Sequence, residues 1–191
     1  MKIKQQKQIR SFLVEAFGND RGDALFGAQD KMLGALIANT KNKSASQMKT
    51  LTRTILPRIA LYKALLGDDI PDADAYVQKY MPEKVAAKKH KSAAGMEIVP
   101  GFYALYSKIF LRIMQTDLQE STQSHDNKSF DVTITKCLWH TACVENGCAE
   151  MCRLFCAVDD VTYGGLRKIG FTRTQTLGNG DDCCDFHFFR K

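Results

Sequence analysis

Phe130-Asp131-Val132-Thr133-Ile134-Thr135-Lys136-Cys137 alternates apolar and polar side chains and is rich in β-branched residues, the pattern of a strand that buries one face. Phe130, Val132 and Ile134 are expected to face a core, and Asp131, Thr133 and Thr135 to face away from it. The stretch also ends on the first of the chain's seven cysteines. Upstream of it the apolar residues recur at helical spacing instead, so the period changes from 3.6 to 2 within one chain. The expected fold is α+β: a helical N-terminal part packed with a small C-terminal antiparallel sheet and a cysteine-bearing helix.

Working upstream, Ile9, Phe12, Leu13 and Ala16 mark a first amphipathic helix that Gly18-Asn19-Asp20 ends. Leu25, Met32, Leu33, Leu36 and Ile37 mark a second. Met48, Leu51, Ile55, Ile59, Tyr62 and Leu66 mark a third from about Ser46, which Pro57 is expected to kink. A turn at Gly67–Asp72 opens a segment through Tyr76, Val77 and Tyr80 that Pro82 is expected to interrupt. Ser92-Ala93-Ala94-Gly95 reads as a loop, Phe102 to about Met114 as a further helix, and the polar run Gln119–Lys128 as a connection.

Downstream, the pattern is helical from about Val144 to Val158, and the chain finishes on two strands, near 171–177 and 183–190, around Gly178-Asn179-Gly180-Asp181. With the strand near 129–137 these make the small sheet, and the helix is expected to cross it. At 191 residues the expectation is a single domain, with 1–118 mainly helical and 128–191 carrying the α+β part and the site.

The composition narrows the class of function. No apolar run is long enough to span a membrane, and Met1-Lys2-Ile3-Lys4-Gln5-Gln6-Lys7 lacks the apolar stretch of a signal peptide. An odd number of cysteines makes a poor disulfide framework. The expected setting is therefore the cytoplasm, with no membrane partner. The formal charge of +6 is uneven: residues 1–112 carry 19 Lys and Arg against 10 Asp and Glu, whereas residues 113–191 carry 8 against 11. The basic residues are scattered as solvated helix faces usually are, which argues against nucleic acid as a partner.

Chemistry, if the chain performs any, is expected in the cysteine-rich last third. Cys148, Cys152 and Cys156 fall at i, i+4 and i+8 on the expected helix, a spacing that suits core packing as well as it suits a reactive stripe. No Cys-x-x-Cys pair announces zinc. The sequence requires no cofactor, and leaves open a divalent metal held by Cys137, Cys156, Cys184 and a histidine. On the last strand Cys184, Phe186 and Phe188 share one face, and Cys183, Asp185, His187 and Phe189 the other. Cys184 is thereby expected at the rim of the core beside a glycine turn, where a small ligand has room. The plainer reading makes Gly178 and Gly180 turn residues only, and Asp185 and His187 solvated edge residues.

Phe130 to Cys137, then Cys156-Ala157-Val158-Asp159, then Arg173-Thr174-Gln175-Thr176-Leu177-Gly178-Asn179-Gly180-Asp181 running into Cys184-Asp185-Phe186-His187-Phe188, resemble the L-2-amino-thiazoline-4-carboxylic acid hydrolase family. The likeness covers about the last 60 residues. Cys137, Cys156, Asp159, Arg173, Gly180, Cys184 and Asp185 match the family pattern. Cys143, Cys148, Cys152 and Cys183 are extras of this chain.

The resemblance implies a small-molecule substrate and a hydrolase acting on carbon–nitrogen bonds other than peptide bonds, one that opens a cyclic amidine to an N-carbamoyl cysteine-type product in bacterial cysteine-related metabolism. Such a reaction needs a nucleophile at the amidine carbon, a proton for the departing group and an anchor for the carboxylate. Cys184 or Cys137 as thiolate is one nucleophile, and water activated by Asp159 or Asp185 is the other. Arg173 suits the carboxylate because its planar fork donates two parallel hydrogen bonds. Cys156 and Gly180 complete the candidate set, with His187 and His140 as acids near Cys184 and Cys137. A sensor module that holds a small ligand or metal in the same cysteine-rich pocket is the alternative from another class.

Overall fold

A computed structural model describes residues 4–191, which form two compact units. One comprises the residues up to Tyr80 together with Ala142–Met151, and the other Met81–Thr141 with Cys152–Lys191. Among the described residues no helix is long and apolar enough to cross a membrane.

The first unit is helical: α1 (Lys4–Phe17), α2 (Asn19–Asn39), α3 (Ala45–Thr50), α4 (Leu56–Gly67) and α5 (Ala73–Lys79). Ile9, Phe12 and Leu13 of α1 are buried, as their spacing predicts. A capping box starts α3: the Ser44 hydroxyl accepts from the Gln47 N–H, and the Gln47 side chain accepts from the Ser44 N–H. Pro57, expected to kink this helix, sits just past a local change of winding. A π-helical turn, Leu51–Ile55, joins α3 to α4 and places Pro57 in the first turn of α4, where its missing N–H costs little. The Arg53 carbonyl, four residues before the proline, is satisfied from outside the helix. With the Gln5 amide turned as its neighbours require, its nitrogen donates to that carbonyl at 2.7 Å, and its oxygen accepts from Nε and Nη2 of the buried Arg58, both at 2.7 Å. Gln29, wholly buried, donates to the Pro57 carbonyl at 3.0 Å.

Helices α1 and α2 touch backbone to backbone at Gly22. A Cβ there would stand 2.6 Å from the Val14 Cα and 2.8 Å from the Leu13 carbonyl carbon, and backbone cannot yield as a side-chain tip does. Gly22→Ala is expected to destabilise the chain by about 1–3 kcal/mol, the cost of overpacking exceeding the gain in helix propensity. Gly34 lies on the same helix with nothing within 4 Å of the added atom, so Gly34→Ala is expected to stabilise by about 0.5–1 kcal/mol. Urea unfolding of the two variants beside the parent measures this opposition of sign.

The second unit holds α6 (Ala87–Met96), α7 (Phe102–Met114), β1 (Gln119–His125), β2 (Ser129–Cys137), the start of α8 (Leu138–Glu145), α9 (Cys152–Tyr163), β3 (Ile169–Thr172) and β4 (Cys184–Arg190). Pro82 again sits in a π-helical stretch, Tyr80–Ala86, that carries α5 into α6 rather than interrupting it. Ser92–Gly95, expected as a loop, continues α6 with Ala93 buried. The four strands make one antiparallel sheet in the order β1-β2-β4-β3. The expectation of three strands missed β1, an edge strand of polar residues exposed on alternate positions.

Register fixes which side chains share a face. Phe130 stands opposite Phe188, Val132 opposite Phe186 and Ile134 opposite Cys184, and all six are buried. Helix α7 covers that face with Phe102, Tyr103, Tyr106, Phe110 and Leu111. The Phe130 and Phe188 rings stack at 4.7 Å and 13°, and Phe110 lies 4.7 Å from Phe188. Asp131, Asp185 and His187 project from the opposite face, as alternation predicts.

Candidate functional site

Helix α9 begins at Cys152 and carries Cys156, Asp159 and Tyr163 at helical spacing along one flank. Cys148 does not join the stripe expected of it. Gly147 takes a left-handed φ of 62° and ends the preceding helix, and the buried Cys148 thiol turns to the Cys143 carbonyl at 3.5 Å. Both cysteines belong to the helical unit.

The segment between β3 and β4 folds back on α9 and is held by three acceptors. Asp185 takes the Thr174 and Gln175 N–H groups at 2.9 and 2.7 Å and the Thr174 hydroxyl at 2.5 Å. Asp181 takes the Thr176 N–H at 2.8 Å, and the Cys184 thiol takes the Leu177 N–H at 3.4 Å. A short 3₁₀ turn, Leu177–Asn179, is capped by the Thr176 hydroxyl and closed by Gly180 at φ 91°. Gly178 in that turn is pressed on α9: a Cβ would lie 2.7 Å from the Cys156 sulfur and 3.0 Å from the Arg153 nitrogen. This close approach, rather than turn geometry, is what requires glycine there.

These contacts gather several of the candidate residues. Arg173, whose side chain is only 10% exposed, reaches from the end of β3 to α9 and donates through Nη2 to the Cys156 carbonyl at 3.0 Å and to Asp160 at 2.5 Å. Its Nη1 is buried and has no acceptor among the described residues. The guanidinium lies 5.8 Å from the centre of the Phe186 ring. Cys156 and Cys184 both lie within the field of Asp159 and Arg173, and Cys137 is close enough to Cys184 and Cys156 to be influenced by their ionisation. Cys137 sits at the amino end of α8, its sulfur accepting from the Trp139 and His140 N–H groups.

Burial dominates the electrostatics. It pushes the Cys137 thiol up to about 12, against the two N–H groups that lower it. It pushes the Cys184 thiol up to about 11, although the Leu177 N–H works the other way. The Cys156 thiol is raised chiefly by its hydrogen bond with Cys152, then by burial. All three are neutral thiols at physiological pH. Asp159 is pushed up to about 6 by burial, with Lys89 and Arg173 opposing and Asp160 adding to the rise. It remains half-buried at the surface while protein surrounds its carboxyl.

The remaining candidates stand elsewhere. His187 is on the far face of β4 from Cys184, with Nδ1 2.7 Å from Asp131 and the ring stacked on Phe189 at 5.6 Å. Asp185 has its oxygens committed to the loop, and its carboxyl is lowered by the Thr174 and Gln175 donors despite the opposing effect of burial. Cys183 is half-buried with its thiol 3.5 Å from the Gln175 side-chain oxygen. Among the described residues no group of three or more His, Cys, Asp or Glu side chains is arranged to hold a metal ion.

Two residues that the sequence reading left out adjoin Asp159. Tyr163 and Tyr106 are hydrogen-bonded to each other, and burial raises both phenols, with the Asp159 charge adding to the effect. Tyr163 was detectable as the next apolar turn of α9 after Cys156. Tyr106 arrives from α7 and leaves no trace in local spacing.

No curated protein matches the chain. A solved structure to which it is similar is the crystal structure of Fe(II) unliganded H-NOX protein from K. algicida, at 8% identity and a TM-score of 0.35 over 100% of this chain and 97% of that one. A likeness at that level carries no argument. Residues 47–188, which span both the helical part and the sheet, match the family model described as L-2-amino-thiazoline-4-carboxylic acid hydrolase, and the chain belongs to that family.

Proposed function

We propose that the chain opens a small cyclic amidine, a 2-amino-thiazoline-carboxylate-like substrate, by hydrolysis to an N-carbamoyl cysteine-type product. What supports this reading, beyond the family, is one juxtaposition: a carboxyl with a pKa of about 6 lies within the field of an arginine whose buried Nη1 has no acceptor among the described residues. Neutral thiols surround the pair.

In this reading Asp159, ionised at neutral pH, takes a proton from water as the oxygen attacks the amidine carbon. A base with a pKa just below the working pH is suited to that step. The tetrahedral carbon then carries the new oxygen, two nitrogens and the ring sulfur. Cleavage of the carbon–sulfur bond, with the proton from Asp159 passing to the departing sulfur and the water's second proton to the ring nitrogen as the carbonyl forms, gives the N-carbamoyl product and a free thiol. Expulsion of the ring nitrogen would instead give the S-carbamoyl isomer, which has none. Arg173 Nη1 anchors the substrate carboxylate, and Asp185 holds the loop that bears on α9. Cys137 and Cys184 contribute soft, neutral contacts around the sulfur rather than a nucleophile, because burial disfavours their thiolates.

The test is thiol release from 2-amino-thiazoline-4-carboxylate by the purified chain. Release that rises with pH through about 6 is expected. Cys184→Ser and Cys137→Ser are each expected to keep turnover within about tenfold of the parent, as befits groups that do not form the covalent bond. Loss of turnover in either, with a substrate adduct on the remaining thiol, would restore the thiolate as nucleophile.

A further inference from the structure

A groove of about 1150 Å³ opens on the sheet unit, and none of the candidate catalytic side chains lines it. Its walls are one flank of α7, the turn between β1 and β2, and the end of β4. Lys108 and Arg112, one turn apart on α7, face it together with Lys168, Arg190 and Lys191, against a single acidic side chain, Asp126. That carboxylate is already committed: one oxygen accepts the Lys128 and Ser129 N–H groups at 2.7 Å each, which hold it below the usual range.

Lys168, Arg190 and Lys191 are placed through their backbone groups. Arg190 pairs with Ile169 across the sheet, the Lys191 N–H donates to the Lys168 carbonyl at 3.1 Å, and the Arg190 N–H to the Lys128 carbonyl at 2.7 Å. The buried Glu97 carboxylate accepts the Lys168 backbone N–H at 2.7 Å. Elsewhere exposed cations face carboxylates, as Arg10 does Asp23, Arg21 does Asp68 and Lys136 does Glu120. Among the described residues Lys108, Arg112, Lys168 and Arg190 make no ion pair. A concave surface on which cationic side chains outnumber acidic ones five to one concentrates anions.

We propose that this groove binds a multiply phosphorylated small molecule, with the polyphosphate as the recognised part. Guanidinium forks and ammonium points suit phosphate oxygens, and the side-chain amides of Gln115, Gln123 and Asn127 in the same lining supply neutral donors. The volume suits a ligand of nucleotide size better than a simple dicarboxylate. Phe102 and Tyr103 in the lining are 2% and 8% exposed, which leaves His125 as the one exposed ring in the lining, whereas the bases of a single-stranded nucleic acid stack on a series of rings. Exposed Leu105, Ile109 and Ile113 on the neighbouring flank of α7 leave two sources of the phosphate, a soluble ligand or the headgroup of a lipid.

The intact chain is titrated calorimetrically with tripolyphosphate and with metal-free adenosine triphosphate at about 50 mM salt, where phosphate contacts are strongest. Flotation with vesicles, with and without a phosphorylated inositol lipid, forms the second arm. Saturable one-to-one binding of tripolyphosphate is expected. Lys108→Glu combined with Arg112→Glu is expected to weaken it by at least about tenfold, and Lys168→Glu to weaken it in the same direction. Lys136→Glu, which changes net charge as much as Lys168→Glu does but lies outside the groove lining, is expected to leave it unchanged. Association only with the phosphorylated vesicles keeps the site and assigns it to a lipid headgroup. No binding in either arm, equal weakening by Lys136→Glu, or binding of single-stranded RNA without tripolyphosphate would each overturn the proposal.

Discussion

Asp159→Asn is expected to abolish turnover and, at the same time, to make the folded chain more stable at pH 8. The carboxyl ordinarily titrates at 3.8 and is pushed to about 6 in the folded chain, chiefly by burial. Between those values the folded state holds a proton that the unfolded state has released, so stability falls as pH rises through that window. The penalty is complete above about 6. Two units correspond to roughly 3 kcal/mol at most, and a realistic gain on replacing the charge by an isosteric amide is about 1–2 kcal/mol, or a few degrees in Tm. By pH 4 the folded carboxyl is neutral and the unfolded one only about half ionised, so most of the advantage should be gone. Loss of a general base costs about 10²–10⁴ in kcat. Thermal unfolding of parent and variant at pH 8 and pH 4, with turnover at pH 8, measures all of this. A variant less stable at pH 8 would show that the residue serves the fold, and one that stays active would remove it from the chemistry.

The arrangement around Asp159 was only partly legible in the sequence. Phe130, Val132 and Ile134, and Cys184, Phe186 and Phe188, declared their faces because an apolar alternation survives wherever one side of a strand is buried. The opposite orientation of His187 followed from the same rule. The strand Gln119–His125 did not declare itself, because an edge strand open to solvent needs no apolar side chains to pair its backbone. Ser92–Gly95 read as a loop from the glycine alone, whereas Ala93 packs inward and tertiary contact offsets the glycine's cost of about 1 kcal/mol. The Cys148–Cys152–Cys156 stripe failed for the converse reason: a single left-handed residue, Gly147, breaks a periodicity that composition leaves intact. The approach of Arg173 and Gly178 to α9 has no local signal at all. It depends on a loop held by Asp185 and Asp181, and the spacing of residues 156, 173 and 184 does not contain it.

Arg173→Lys is expected to raise KM for the carboxylated substrate by about 10–100-fold, the worth of a charge-assisted, two-pronged contact. Lysine keeps the charge, and with it most of the field that opposes the rise in the Asp159 pKa, but it lacks the fork that lets one nitrogen hold the Cys156 carbonyl and Asp160 while another is left for a further acceptor. In the parent, Nη2 is spent on those two acceptors and Nη1 has none among the described residues. A buried donor left without an acceptor costs about 1–3 kcal/mol, a cost that a bound carboxylate would relieve. The decisive comparison uses two substrates, 2-amino-thiazoline with and without its carboxylate. If Arg173 anchors that group, the parent favours the carboxylated ring by about the same factor that the variant loses, and the variant handles both alike. A residue that only ties β3 to α9 would lower activity on the two substrates equally, and that result would leave the carboxylate without its proposed anchor.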